Sequence, residues 1–127
     1  MYHFTSWRLA DALAAAKKRG VAVRVLSDAE QHKSDQSKEV WEKLKAAGVD
    51  VRRVTPKGGK DDGEAPHFHH KFCVVDGRAV FTGSYNWTVQ GDRKNHENLV
   101  LITDAVTAKS FLKTFEATWS DNSITQP

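Results

Sequence analysis

The chain has 127 residues, of which 39% are hydrophobic and 28% charged, and its formal net charge is +3 at pH 7. This size suffices for one hydrophobic core, so we expect a single domain over residues 1–127. The single cysteine excludes an intrachain disulfide, and no apolar run approaches the length of about 20 residues that a membrane span needs. No secretion signal follows Met1, which predicts a cytoplasmic location unless a native N-terminal segment has been removed.

The first half of the chain alternates predicted helices and strands. Ser6 is typical of a helix N-cap and Gly20 of a helix stop, so the segment between them predicts a helix. Valine-rich runs predict buried strands, and a polar stretch through His32 and Ser34 predicts a loop before the second helix. The predicted elements are a short strand at Tyr2–Thr5, a helix at Trp7–Arg19, a strand at Val21–Leu26, a helix near Ser37–Ala47 and a strand at Val49–Val54.

The second half of the chain begins with a loop and continues as strands and one helix. Thr55–Pro66 holds two prolines, three glycines and five charged residues, which predicts a mobile loop. The elements that follow are a hairpin at 71–82, a strand at Asn98–Thr103 and a helix that is capped by Asp104, buries Val106 and ends at Trp119. Strands that alternate with helices predict an α/β sandwich with a mixed, mainly parallel β-sheet flanked by helices.

Two motifs near the middle of the chain carry side chains that suit phosphodiester chemistry. His69 and Lys71 lie two residues apart in a strand-forming run, so both side chains should leave one face and address one phosphate together. Asp76 and Gly77 predict a hairpin turn, which returns the chain beside this run. Gly83 should therefore arrive close to His69.

The G-S-x-N corner adds groups that can bind an anion. Gly83 lets the backbone approach a ligand closely, and Ser84 and Asn86 can donate hydrogen bonds to phosphate oxygens. Glu97 opens the next strand and can reach an imidazole in a neighbouring strand, where a carboxylate on Nδ1 fixes the tautomer. Each of these residue types is more often a solvated or turn residue, so the prediction depends on the ordered set.

The ordered set H-x-K-x-x-x-x-D, G-S-x-N and E-N resembles the signature of the phospholipase D superfamily. The segments HHKFCVVDGRAVFTGSYNWT and NHENLVLIT are most similar to small single-motif members, namely bacterial phospholipase-D-like endonucleases and mitochondrial cardiolipin hydrolase. Weaker similarity covers Tyr2–Ser6 and the segment AAAKKRGVAVRVLSD, and so nearly the whole chain. Relatives place a further strand and helix before Tyr2–Ser6. We therefore expect that the start of this chain is truncated, or that another chain or a rearrangement covers the sheet edge that is left.

This resemblance implies covalent catalysis through a phosphohistidine, without a metal ion or another cofactor. A two-fold homodimer would bring two copies of His69 to one phosphorus, one as nucleophile and one as general acid. Glu97 would orient His69, while Asp76 and Gly83 would support the site without touching phosphorus. The catalytic residues implied in this way are His69, Lys71, Ser84, Asn86 and Glu97.

The expected substrate is DNA or RNA, because the chain is basic and resembles small bacterial nucleases. Trp87, beside the G-S-x-N corner, could stack on a base, but packing beneath the loop is favoured. Two other functions stay open, which are hydrolysis of cardiolipin or a related phospholipid, and nucleic-acid binding without turnover. The side chains that could contact a nucleic acid are Arg52, Arg53, Lys57, Lys60, Trp87, Arg93 and Lys94.

The histidines also allow a zinc site as an alternative. His67, His69 and His70 follow Asp61 and Asp62 in the chain, but neighbouring strand positions point apart and one cysteine is present. His70 alternates to the face opposite His69, which favours a packing role.

Overall fold

The computed structural model describes residues 1–58 and 66–127, so most of the loop predicted at Thr55–Pro66 lies outside the described residues. A 3₁₀ turn at Gln31–Lys33 precedes the second helix. The helices and strands, in chain order, are α1 (Trp7–Lys18), β1 (Arg24–Asp28), α2 (Asp35–Ala46), β2 (Asp50–Val54), β3 (Phe72–Val75), β4 (Ala79–Gly83), α3 (Val89–Arg93), β5 (Leu99–Ile102), α4 (Ala105–Ser120) and β6 (Thr125–Gln126).

Serine caps begin the first two helices. Ser6 Oγ accepts a hydrogen bond from Leu9 N at 3.4 Å, which confirms the predicted cap of α1. Ser34 Oγ accepts one from Ser37 N at 3.3 Å. Because Ser34 satisfies a free N–H of the first turn, α2 begins earlier than the predicted start at Ser37.

β1, β2 and β6 form one sheet, with β2 in the middle. β1 and β2 are parallel, and the helix α2 connects them, as the alternating pattern predicts. β6 pairs antiparallel with β2. The core that α1, α2 and this sheet share includes the buried side chains of Phe4, Val25, Trp41, Leu44 and Val51.

β3, β4 and β5 form a second sheet, in which both strand pairs are antiparallel. Asp76 and Gly77 have φ angles of 52° and 62°, and Arg78 N donates to Val75 O at 3.0 Å. Two consecutive residues with positive φ are typical of the type I′ turns that join hairpin strands. The predicted hairpin is therefore confirmed.

The predicted α/β sandwich with a mixed sheet and flanking helices is confirmed, but the mainly parallel pairing is wrong for the described strands. Only β1 and β2 pair in parallel, whereas the other three strand pairs are antiparallel. Connection length explains the antiparallel pairing of β3 with β4, because a parallel pair needs a crossover of about a dozen residues or more. The turn between β3 and β4 leaves no room for one.

The N-terminal segment crosses from the first sheet towards the loop after β4. Instead of the strand predicted at Tyr2–Thr5, the structure has a single parallel bridge between Phe4 and Trp87. Thr5 N donates to Trp87 O at 2.8 Å, which fixes the segment to that loop. This path places Tyr2 beside the start of β3.

The last helix packs on the second sheet, with the Phe111 ring 5.1 Å from the ring of Phe72. Ala108 is buried on this face, but Val106, which the sequence predicted to be buried, is 79% exposed. The helical period explains the error, since two residues at about 100° each turn Val106 away from the face that Ala108 occupies.

Candidate active site

His69 and Lys71 lie in the segment directly before β3, and not inside the strand as predicted. Phe68 is buried in the core and anchors this segment from one side. Thr82 Oγ1 donates to Lys71 O at 3.2 Å and ties the segment to β4. The side chains of His69 and Lys71 nevertheless meet, as their spacing predicts.

The Lys71 ammonium group contacts the His69 imidazole. Lys71 Nζ lies 3.0 Å from Nδ1, 3.3 Å from Nε2 and 3.0 Å from the backbone oxygen of His69. Desolvation lowers the pKa of His69, and the charges of Lys71 and His67 lower it further. Desolvation also lowers the pKa of Lys71, against the opposing effect of Glu97. The lowered pKa favours the uncharged imidazole, which is the form that can act as a nucleophile.

A buried carboxylate that the sequence analysis missed positions this segment. Asp28 ends β1 and is 1% exposed, and its Oδ2 accepts a hydrogen bond from Phe68 N at 2.8 Å. Its Oδ1 accepts from Glu30 N at 2.9 Å and from Gln31 N at 3.1 Å. One carboxylate thus joins the residue before His69 to the end of β1. The available signal was an aspartate at the carboxyl end of a buried strand, where sites in α/β folds form.

β5 lies so close to the G-S-x-N corner that position 83 requires a glycine. A Cβ on Gly83 would stand 2.2 Å from Asn98 O. Ser84 N donates to Asn98 O and to Asn98 Oδ1, each at 3.2 Å, and Asn98 N donates to Ser84 Oγ at 3.0 Å. Gly83 therefore packs on β5, and its approach to a ligand stays a prediction.

Ser84 and Asn95 hold the carboxylate of Glu97. Ser84 Oγ donates to Oε2, and Asn95 Nδ2 donates to Oε1 at 3.0 Å. These two hydrogen bonds lower the pKa of Glu97. Within the part of the chain that the structure describes, Glu97 makes no hydrogen bond to His69, so the predicted orientation of the imidazole by this carboxylate is not observed. The register of β4 with β5 explains the difference, because it places Ser84 beside Glu97.

The two residues after Tyr85 differ in their environments. Asn86 Oδ1 is buried and has no hydrogen-bond partner among the described residues, so the phosphate contact of this side chain stays a prediction. The Trp87 ring packs edge-on against Phe4, with centroids 5.1 Å apart. Trp87 thus packs beneath the loop, as the sequence favoured, and base stacking is left without support.

Asp76 lies in the hairpin turn, at the end of β3 opposite His69. Seven extended residues at about 3.3 Å each separate the two positions by roughly 23 Å. Asp76 can therefore affect the site only by shaping the hairpin.

The basic side chains predicted to contact nucleic acid have several different environments. The Arg52 guanidinium lies 4.4 Å from the centroid of the Trp119 ring and donates to Trp119 O at 2.6 Å, so it supports the end of α4. Arg53 donates to Pro127 O at 2.6 Å. Lys60 lies outside the described residues. The exposed side chains that stay candidates for polyanion contacts are Lys57, Arg93 and Lys94.

The zinc alternative receives no support from residues 1–58 and 66–127. Among them, no group of three or more His, Cys, Asp or Glu side chains is arranged to hold a metal ion. Asp61 and Asp62 lie outside the described residues. His70 packs between Phe68 and Phe72, at centroid distances of 5.2 and 5.7 Å, which agrees with its predicted packing role.

The described helices also bear on membrane insertion. None of the helices in the two described ranges combines the length and the apolar character that a bilayer crossing requires.

The fold, together with a His-x-Lys pair beside a Gly-Ser-x-Asn corner, defines a phospholipase-D-like domain. Residues 1–119 match the family described as cardiolipin synthase, PLD-like domain, where PLD stands for phospholipase D. The chain belongs to this family, which confirms the resemblance found in the sequence.

Similar proteins include both eukaryotic and bacterial members. Mitochondrial cardiolipin hydrolase of Xenopus laevis is 39% identical over 121 residues, which are 95% of this chain and 53% of that protein. Phospholipase D of Rickettsia typhi is 34% identical over 123 residues, which are 97% of this chain and 55% of that protein. The chain thus spans about half the length of the curated relatives it matches.

Solved structures confirm the fold. Nuc from Salmonella typhimurium, a phospholipase D family member, superposes with a TM-score of 0.84 at 33% identity, over 93% of this chain and 73% of that chain. NucT from Helicobacter pylori superposes with a TM-score of 0.83 at 23% identity, over 94% and 75% of the two chains, and shows the fold alone.

Proposed function

We propose that this chain is a metal-independent phosphodiesterase that cuts DNA or RNA through a phosphohistidine, at a site shared by two copies of the chain. The observation that carries the proposal is the exposed His69 imidazole with the Lys71 ammonium 3.0 Å from Nδ1. An uncharged nucleophile beside a fixed positive charge is what attack on an anionic phosphodiester needs. The resemblance of the motifs to bacterial phospholipase-D-like endonucleases supports a nucleic-acid substrate.

In the proposed reaction, His69 supplies the nucleophile. A ring nitrogen attacks phosphorus, so that an N–P bond forms and the bond to the leaving oxygen breaks. Lys71, Asn86 and Ser84 hold the non-bridging oxygens, and the ammonium group stabilises the charge of the transition state. Water then attacks phosphorus, the N–P bond breaks and the free imidazole is restored.

The proposed reaction needs a second histidine, because the leaving oxygen must be protonated on the side opposite the nucleophile. One chain supplies one H-x-K motif, and a two-fold homodimer supplies the second. His69 of the partner subunit enters the reaction as the imidazolium, donates its proton to the leaving oxygen and then, as the uncharged base, accepts a proton from the attacking water. Light scattering of the active fractions should therefore give the mass of a dimer, and fractions that contain only active monomers would contradict the shared site.

Cleavage assays in excess EDTA test the proposal. Purified protein is incubated in parallel with labelled single-stranded DNA, duplex DNA, RNA and cardiolipin vesicles. Nucleic acid should be cut, and His69→Ala should reduce the rate by far more than tenfold, since tenfold is worth only about 1.4 kcal/mol of barrier. The matched control is His96→Ala, which removes an exposed histidine outside the proposed machinery. Strict metal dependence, or a loss below tenfold, would argue against the histidine mechanism.

A second candidate function is the hydrolysis of cardiolipin or a related phospholipid. The 39% identity with mitochondrial cardiolipin hydrolase of Xenopus laevis favours it. The pair of His69 and Lys71 recognises only a phosphodiester, so the same chemistry serves either substrate. Release of phosphatidic acid from the vesicles without cleavage of nucleic acid would move the assignment to lipid.

A further inference from the structure

The aromatic ring of Tyr2 lies among the side chains that carry the proposed chemistry. Its centroid is 4.3 Å from that of the His69 ring and 5.8 Å from that of the His67 ring. Lys71 Nζ lies 5.0 Å from the centroid of the Tyr2 ring. Tyr2 therefore contacts both members of the H-x-K pair, although β1 and β2 lie between Tyr2 and this pair in the sequence.

The contacts of the Tyr2 ring matter because the Glu97 carboxylate makes its hydrogen bonds away from the His69 imidazole. The carboxylate that was expected to orient His69 is held by Ser84 and Asn95. An aromatic face attracts an ammonium group through its quadrupole and packs against a second planar ring, without competing for the imidazole nitrogens. The described contacts that restrain the His69 ring thus come from Tyr2 and Lys71.

The backbone holds Tyr2 at the end of β1. Ser27 is 4% exposed, and its Oγ donates to Tyr2 O at 3.2 Å. The next residue, Asp28, accepts the hydrogen bond from Phe68 N. Two neighbouring side chains at one strand end therefore fix both the segment that carries Tyr2 and the segment that carries His69.

We propose that Tyr2 is a positioning residue, whose ring holds the His69 imidazole and the Lys71 ammonium group together before a phosphodiester binds. The effect on rate rests on the proposed function, whereas the effect on His69 itself does not. The ring carries the role, because the Tyr2 hydroxyl makes no hydrogen bond within residues 1–58 and 66–127.

Two substitutions separate the ring from the hydroxyl. Tyr2→Phe keeps the ring and should stay within about twofold of the wild-type kcat, whereas Tyr2→Ala should lower kcat about tenfold with little change in KM, because binding groups are kept and orientation is lost. Thermal denaturation checks that both variants fold. If Tyr2→Ala does not fold, Tyr2→Leu keeps apolar bulk without an aromatic face and takes its place.

A titration of His69, followed by NMR of the imidazole and assigned with His69→Ala, reports on the imidazole directly in variants that thermal denaturation shows to be folded. The charged groups near this ring are Lys71, His67 and Asp28, which the variants leave unchanged. Removal of the Tyr2 ring admits water to the imidazole, so the pKa of His69 should rise in Tyr2→Ala and stay unchanged in Tyr2→Phe.

A lower kcat together with a raised pKa of His69 in Tyr2→Ala, and wild-type behaviour of Tyr2→Phe, would support the proposal. An unchanged kcat or an unchanged titration in Tyr2→Ala would overturn it, as would equal defects in both variants. If the wild-type chain cuts no nucleic acid, the proposed function fails, and the titration still decides whether Tyr2 positions His69.

Discussion

Asp28→Asn should detach the segment that carries the proposed nucleophile. The carboxylate accepts three backbone hydrogen bonds, and an amide has only one oxygen with which to replace them. The remaining oxygen can keep the bonds from Glu30 and Gln31, and the amide nitrogen then faces the N–H of Phe68. A buried donor left unsatisfied costs about 1–3 kcal/mol, and loss of charge from the other two bonds brings the total to roughly 2–4 kcal/mol.

Urea denaturation followed by circular dichroism measures this change in the free energy of unfolding. The matched control is Asp104→Asn, since Asp104 caps α4 through Thr107 N at 2.7 Å and asparagine is an equally good N-cap. The control should be as stable as the wild type. Because the Phe68 bond holds the residue before His69, Asp28→Asn should also lower kcat at least about tenfold in urea-free buffer. Wild-type stability together with wild-type kcat would refute the reasoning.

Three further predictions concern the nucleophile, the G-S-x-N corner and the last helix. The rate should fall at low pH with a midpoint below the ordinary imidazole value of 6.5, because desolvation lowers the pKa of His69 and the nucleophile must be uncharged. The rate should also fall at high pH, because the partner's His69 must carry a proton to act as the general acid. Lys71→Met should raise the pKa of His69, as measured by NMR titration. Gly83→Ala should destabilise the fold by several kcal/mol, about 3 or more in urea denaturation, since a Cβ meets Asn98 O. Val106→Ser should change the free energy of unfolding by less than about 0.5 kcal/mol, because the side chain is 79% exposed.

The features that the sequence predicts correctly depend on short spacings. The Ser6 cap needs only a hydroxyl three residues before Leu9, whose N–H donates to it. The turn at Asp76 and Gly77 needs only two consecutive residues that tolerate positive φ. The meeting of His69 and Lys71 likewise needs only the two-residue repeat of an extended chain. In each case, neighbours along the chain determine the geometry.

The features that the sequence analysis missed depend on contacts between distant segments. Asp28 meets Phe68 across 40 positions of sequence, and Tyr2 reaches His69 only because the N-terminal segment crosses to the loop after β4. A periodic pattern carries no information on such a crossing. The mainly parallel pairing was wrong for a related reason, since it depends on which distant segments meet, and β2 pairs antiparallel with β6 from the end of the chain.

The position of Glu97 shows how register selects among possible partners. Any strand beside β4 could bring a carboxylate near His69, but pairing of Gly83 with Leu99 puts Ser84 next to Glu97. The Ser84 hydroxyl has one proton, and it donates that proton to Glu97 while accepting from Asn98 N. The same hydroxyl cannot donate to a phosphate oxygen at that time. Phosphate binding by Ser84 therefore requires that Glu97 give up this hydrogen bond, which leaves its charge available to the nearby Lys71 ammonium group.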